Sequence, residues 1–287
     1  MTTFDASRPE IASENGRASV AVPCNLLFLG VAVVGFVNGI SEKVATAVQR
    51  EGVAAAVFNT FGISIVIWVA GVIAAMMLWR AGERAVGRMD IAVAVLACAT
   101  FLVPAPFMSW LGITLAGVYL CLGPAISPAL RKAGTVLLAL TVPMLWARLL
   151  FAVAGTRILE MDARLVSWIV GTQASGNTIP LADGSGVIFL EPACSSLTNV
   201  SLAMLCGVLF VSVQGLTWSK KAITATLLAC AATVFINVFR IALIGVMPQY
   251  YAAIHGPTGA AIAGWITIVT ILVIFTRGIR PDAKAVA

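Results

Sequence analysis

Charge is scarce in this sequence: 10% of its 287 residues are Asp, Glu, Lys or Arg, against about 25% in an ordinary soluble domain. So few charges cannot clothe a water-facing surface, and a soluble globular domain is excluded. Histidine is scarcer still, with His255 alone, which rules out a metal centre built on several imidazoles; no HExxH spacing occurs either. The six cysteines at 24, 98, 121, 194, 206 and 230 form no CxxC pair, so neither a zinc knuckle nor a disulfide framework is indicated. Internal repeats are not visible, and the paired broken helices of an inverted-repeat transporter are missing. The pattern asks for neither a metal nor another cofactor.

Apolar residues take the place of what is missing, at 60% of the chain with a mean hydropathy of +1.01. Apolar runs recur from residue 22 to 277 without a polar region large enough to fold separately. A spanning helix takes about 20 mostly apolar residues. On that length the sequence predicts an all-α membrane protein, a polytopic bundle of about eight transmembrane helices. The spans fall near 22–40, 53–79, 91–106, 108–127, 134–154, 195–217, 222–246 and 259–277. Pro104 and Pro106 separate the third from the fourth, because proline interrupts a helix. Cys98, Cys121, Cys206 and Cys230 lie inside these runs and are expected to behave as small hydrophobes. Residues 1–20 are polar, mixed in charge and without the basic-then-apolar order of a signal peptide, so a disordered cytoplasmic tail is expected there. Residues 21–287 then form a single transmembrane domain.

The basic residues set the orientation. Arg80, Arg84 and Arg88 follow the second span, Arg131 and Lys132 the fourth, Lys220 and Lys221 the sixth, and Arg277, Arg280 and Lys284 the eighth. In the opposite loops Lys43 and Arg50 are balanced by Glu42 and Glu51, and Arg157 and Arg164 by Glu160, Asp162, Asp183 and Glu191. The positive-inside rule therefore puts both termini in the cytoplasm of a multi-pass plasma (inner) membrane protein. The same rule accounts for the net charge of +6 without nucleic acid as a partner.

One long segment, 155–193, is left on the outer side. Ile158, Met161, Leu165, Trp168 and Ile169 recur at helical spacing among charges, which predicts a helix lying in the membrane interface. Two short apolar runs around Ala182-Asp183-Gly184-Ser185-Gly186 predict a small hairpin. Together they are expected to cap the outer mouth of the bundle.

On that orientation Cys194 at the start of the sixth span, Arg240 near the end of the seventh and His255 just before the eighth all reach the outer face. A thiol at a helix amino terminus meets the positive end of the helix dipole, which favours thiolate. The adjoining Ser195, Ser196, Thr198 and Asn199 suit a hydrated pocket and equally a structural helix cap. An arginine inside an apolar helix costs about 2.5 to 3.5 kcal/mol on insertion scales, so Arg240 needs water or a partner. Glu191 is one such partner, and snorkelling to the surface is the alternative. Asn237 lies one turn before Arg240 on the same face. His255 is the side chain best suited to exchange protons near neutral pH. Arg148, also within a span and towards the outer side, is a further pocket residue.

With ACSS at a polar helix start, NVFRI in the following span and a histidine before the last span, the chain resembles the exosortase/archaeosortase family of integral membrane cysteine transpeptidases. That resemblance implies a protease/transpeptidase that cleaves a carboxyl-terminal sorting signal of exported proteins: a Pro-Glu-Pro-like motif, a transmembrane helix and a basic tail. It implies Cys194 as nucleophile, Arg240 as stabiliser of the developing oxyanion and His255 as proton-transfer group. The new carboxyl end would pass to an acceptor of unassigned identity. Ser196 stands where the family usually has glycine, and Thr198 where it often has arginine, which implies a divergent subgroup. A competing class is a transporter in which Arg240 and Arg148 bind an anion and His255 relays protons. A third is an export scaffold; neither needs Cys194.

Overall fold

Backbone amides have no partner in lipid, so apolar runs of this length satisfy themselves as helices. The computed structural model describes residues 22–82 and 84–279; the expected tail at 1–20, together with Arg280 and Lys284 of the last basic cluster, lies outside the described residues. Within them the helices are α1 (Cys24–Glu51), α2 (Val53–Phe58), α3 (Ile65–Arg80), α4 (Arg88–Phe101), α5 (Pro106–Leu122), α6 (Pro128–Thr141), α7 (Ala147–Val170), α8 (Ser196–Val213), α9 (Lys220–Val246), α10 (Tyr251–His255) and α11 (Pro257–Gly278). A hairpin of β1 (Thr178–Pro180) and β2 (Val187–Phe189) separates α7 from α8. Four helices start on a serine whose hydroxyl accepts an amide of the first turn: Ser64, Ser127, Ser195 and Ser219. Such caps satisfy donors that the helix cannot pair itself.

Five helical stretches are long and apolar enough to cross a membrane: Cys24–Glu51, Pro128–Val170, Ser196–Val213, Lys220–Val246 and Thr258–Gly278. Helices α3 and α5 are apolar but shorter, at 16 and 17 residues, and α4 has 14. Large apolar side chains such as Trp79, Leu122, Leu227 and Trp265 point outward, an arrangement that water penalises and lipid accepts. The chain is an all-α protein with multi-pass membrane character.

Two of the expected boundaries are moved and one stands. The expected second span at 53–79 begins at Ile65 instead, because the chain turns back on itself between α2 and α3. Thr60, Phe61 and Gly62 all adopt positive φ (52°, 56° and 65°), which no helix can continue through. Asn59 donates to Glu51 Oε2 at 2.6 Å and Trp68 Nε1 to the Thr60 carbonyl at 3.3 Å, fastening the turn. At Pro104 and Pro106 the opposite holds, and the expected break is a true turn with Pro106 at the first position of α5. The second difference is the larger. The interfacial helix expected after residue 155 is no separate element, since 128–170 is one continuous helical stretch. Pro143 is absorbed by a π-helical segment, Val142–Trp146, where the Ala147 amide bonds the Val142 carbonyl; widening the turn accommodates an imino acid without a break. Gly155 then continues the helix beneath the Phe151 ring. The apolar stripe expected there stays on the outside, with Met161, Leu165 and Trp168 exposed, while a second face of the same helix, Leu159, Ala163, Val166 and Val170, is buried against Val238, Ile241 and Ala242 of α9 and Ile179 and Leu190 of the hairpin.

Helices α1 and α3 to α6 enclose one core around Phe28, Trp110, Leu130, Leu137 and Leu140, while α8, α9 and α11 enclose another around Ala203, Ala225, Ile271 and Phe275. Helix α8 joins the two, contributing Leu205 and Leu209 to the first. At the end where α1 starts, the Cys24 amide bonds the Arg84 carbonyl, and the Arg84 guanidinium pairs with Asp90 at 2.6 Å. Tyr119 and the Gly87 amide complete the Asp90 carboxylate.

Helices α5 and α6 approach closely at Gly117 and Gly134. A Cβ on Gly134 would stand 2.7 Å from Leu120 Cβ and 3.0 Å from the Gly117 carbonyl oxygen, whereas one on Gly30 meets nothing within 4 Å. Small residues let helices in lipid pack backbone to backbone. Gly134→Ala is therefore expected to destabilise the protein by about 1 to 3 kcal/mol, and Gly30→Ala to be neutral or better. Thermal unfolding of the two variants in the same detergent checks this; equal melting points would contradict the packing account.

Candidate functional site

Glycine closes α7: Gly171 takes φ +80° and hands the chain to the hairpin. Ile179 pairs with Ile188 across the two strands. Asn177 and Leu190 extend the ladder, the Leu190 carbonyl accepting from Asn177 Nδ2 at 2.9 Å and its amide donating to the Asn177 carbonyl at 2.9 Å. The Ala182 amide donates to the Gly245 carbonyl at 2.9 Å, which docks the turn on the last residues of α9. Gly245 is tightly enclosed, since a Cβ there would lie 2.7 Å from Val170.

In the turn itself Asp183 accepts from the Ser185 hydroxyl at 2.7 Å and from the Ser185 amide at 2.9 Å. Those two bonds hold its carboxyl below the usual carboxylate range. A group whose folded pKa is depressed contributes order above its unfolded pKa and loses it as pH falls through the folded value. The turn is thus expected to be ordered at neutral pH and to loosen below about pH 4. Hydrogen exchange at the Ser185 amide, corrected for intrinsic rate, should lose protection there, and Asp183→Ala should show no such pH step.

After β2 the chain passes buried Leu190 and exposed Glu191 into a single 3-10 turn, Pro192–Cys194, and Ser195 caps α8. Cys194 therefore lies one residue before the cap. Its carbonyl accepts from Asn237 Nδ2 at 2.8 Å, and the same amide group reaches Ser196 Oγ at 3.2 Å. The Ser196 amide donates to Asp162 Oδ2 at 2.9 Å. Asp162, Ser195, Ser196 and Asn237 are all buried, and a carboxylate at a helix amino terminus is favoured by the dipole and by the free amides there. The thiol is half-buried against the apolar cluster of Leu159, Ala163, Val238 and neighbours.

One helical turn beyond Asn237, Arg240 donates through Nε to the Ile254 carbonyl and through Nη2 to the His255 carbonyl, each at 3.2 Å. These carbonyls end α10, where a cation complements the dipole. The His255 ring is exposed and stacks on Tyr251, with centroids 4.9 Å apart and planes at 20°. Gly259 packs so closely on the Ile254 carbonyl that no side chain fits, which keeps the turn into α11 tight.

The structure thus brings Cys194 and His255 to a single turn of α9, through their backbones. Among the described residues no hydrogen bond joins the Cys194 thiol to Arg240 or to the imidazole. The Arg240–Glu191 pair considered from sequence is not formed: the described ion pair is Arg84–Asp90, and Glu191 faces outward. Arg240 instead borders a cavity of about 180 Å³ with Asn199, Asn237, Ser64 and Thr267. Arg148 is elsewhere, lining a second cavity of about 430 Å³ with Lys43, Pro192 and Thr198. Ser64 and Leu202 line both. Because Ser64 starts α3 and Arg80 ends it, these cavities and the Arg80 cluster lie at opposite ends of that helix, about 24 Å apart at 1.5 Å per residue. Asp162 and Ser64 carried no site signal in the sequence, and Lys43 read only as a balanced loop charge. Among the described residues no group of three His, Cys, Asp or Glu is close enough to hold a metal ion.

Set against known proteins, the chain matches no family model, no curated protein and no solved structure.

Proposed function

We propose that this chain is a membrane-embedded cysteine protease/transpeptidase of the exosortase type, acting on exported proteins that carry a carboxyl-terminal sorting signal. In this reading all eight expected spans cross the bilayer, both termini are cytoplasmic and the hairpin caps the outer mouth of the bundle. The observation that carries the proposal is the docking of the Cys194 and His255 backbones onto the turn of α9 that bears Asn237 and Arg240. A half-buried thiol, a guanidinium bordering a cavity and an exposed imidazole at one helix turn are the parts that acyl transfer needs.

The steps balance without an external cofactor. The Cys194 thiolate adds to the scissile carbonyl, and Arg240 stabilises the oxyanion. The intermediate collapses to a thioester as the imidazolium of His255 protonates the departing amine. An acceptor amine, hydroxyl or water then attacks the thioester, giving up its proton to the imidazole and releasing the thiolate. Asn199 and Asn237 line the pocket that Arg240 borders, Ser195 and Ser196 brace the helix start beside Cys194, Arg148 lines the neighbouring cavity and Glu191 is exposed.

Co-expression with a substrate ending in a Pro-Glu-Pro-like motif, a transmembrane helix and a basic tail tests the proposal. The parent protein is expected to shorten the substrate and release it from its own membrane anchor. A substrate that keeps its full length beside well-expressed enzyme, across a panel of such tails, would count against it.

A further inference from the structure

The larger cavity, between α1, the start of α3, α7 and the first turns of α8, carries two cations. Lys43 and Arg148 line it together with the hydroxyl-bearing Ser64 and Thr198, and no carboxylate is among its lining residues. Neither cation forms an ion pair with a described carboxylate. Like charges sharing one concavity repel each other, and cations on apolar helices call for water or an anion. The rest of the wall is apolar, with Met144, Phe151, Leu197 and Leu202. At about 430 Å³ the space falls within the range of about 300 to 1,000 Å³ usual for small-ligand sites.

We infer that the Lys43–Arg148 cavity is a phosphate-binding site for the headgroup of a membrane glycerophospholipid. The two cations flank the single negative charge of the phosphodiester, Ser64 and Thr198 donate to its oxygens, and the apolar wall receives the glycerol and the start of an acyl chain. A free phosphate ion satisfies the cations equally well and leaves the apolar wall unused, which is why the lipid is the favoured source. Basic pockets between membrane helices bind lipid headgroups by this chemistry. Neither Cys194 nor His255 lines the Lys43–Arg148 cavity, which shares Ser64 and Leu202 with the cavity that Arg240 borders.

The full chain purified in detergent tests this by native mass spectrometry and thermal unfolding with phosphatidylglycerol, with diacylglycerol and with inorganic phosphate. Phosphatidylglycerol is expected to bind and raise the melting point, diacylglycerol to do neither, and Lys43→Gln and Arg148→Gln each to weaken lipid binding about tenfold or more. Lys132→Gln, a basic residue outside the cavity, should bind as the parent does. Stabilisation by inorganic phosphate alone, lost in the same two variants, would support the phosphate site and move its source to the aqueous phase. Equal lipid binding by parent and both variants, equal binding of diacylglycerol, or stabilisation only by an acidic peptide would overturn the inference. If one variant fails to fold, the other and Thr198→Val still report, the latter by a smaller loss of the same kind.

Discussion

Cys194→Ala is expected to abolish substrate processing, with a fall of about 10⁴-fold or more, the scale on which removing a nucleophile collapses covalent catalysis. Its effect on stability should be small. The side chain is half-buried and hydrogen-bonded nowhere among the described residues, and losing one sulfur from the edge of the Leu159–Val238 cluster creates little cavity, about 1 kcal/mol or less. Cys194→Ser separates chemistry from packing. A hydroxyl fits the same space, but it stays protonated where a thiol yields thiolate, so serine is expected to be nearly as inactive as alanine. Both variants should unfold within a few degrees of the parent. Activity retained in either, at equal protein level, removes the thiol from the mechanism.

Arg240→Ala is expected to lower turnover by about 10² to 10³, the cost of losing an oxyanion donor. It should have a second effect that Cys194→Ala lacks. The Ile254 and His255 carbonyls would lose the donor that fastens α10 to α9, so amides from 251 to 258 should exchange faster with solvent. Arg240→Lys keeps the charge but not the fork that reaches two carbonyls at once, and it should fall between alanine and the parent in both measurements. A variant with faster exchange and unchanged turnover would assign Arg240 to structure alone. Loss of turnover without faster exchange would assign it to chemistry alone.

The helical class and the hairpin were legible in the sequence because each rests on local pattern: run length, and a turn-forming Asp183-Gly184-Ser185 between apolar strands. Break and continuity were harder to tell apart. Pro104 and Pro106 fall between the end of α4, where Asn38 takes up the Phe101 carbonyl, and the start of α5, yet Pro143 makes no break, because a π turn absorbs it. Periodicity after Gly155 showed the stripe of Met161, Leu165 and Trp168, which stays exposed, and not the second face of Leu159, Ala163 and Val166 that packs on α9 and the hairpin. The site was legible as three residues on one side and not as a geometry. Asn237 was visible as a neighbour of Arg240, but its bond to the Cys194 carbonyl spans 43 residues. The Asp162–Ser196 bond spans 34, and in the sequence Asp162 is simply an acid among balanced loop charges. Long-range hydrogen bonds leave no periodic trace.

The central claim is that Cys194 carries the acyl group. Incubating the purified protein with a candidate sorting-signal substrate and no added acceptor, then measuring the mass of the peptide containing Cys194, tests it most directly. The account predicts a substrate fragment attached to Cys194 through a bond that hydroxylamine cleaves, absent from Cys194→Ala. Processing by Cys194→Ala at the parent's rate, with no adduct on the parent's Cys194 peptide, would contradict it.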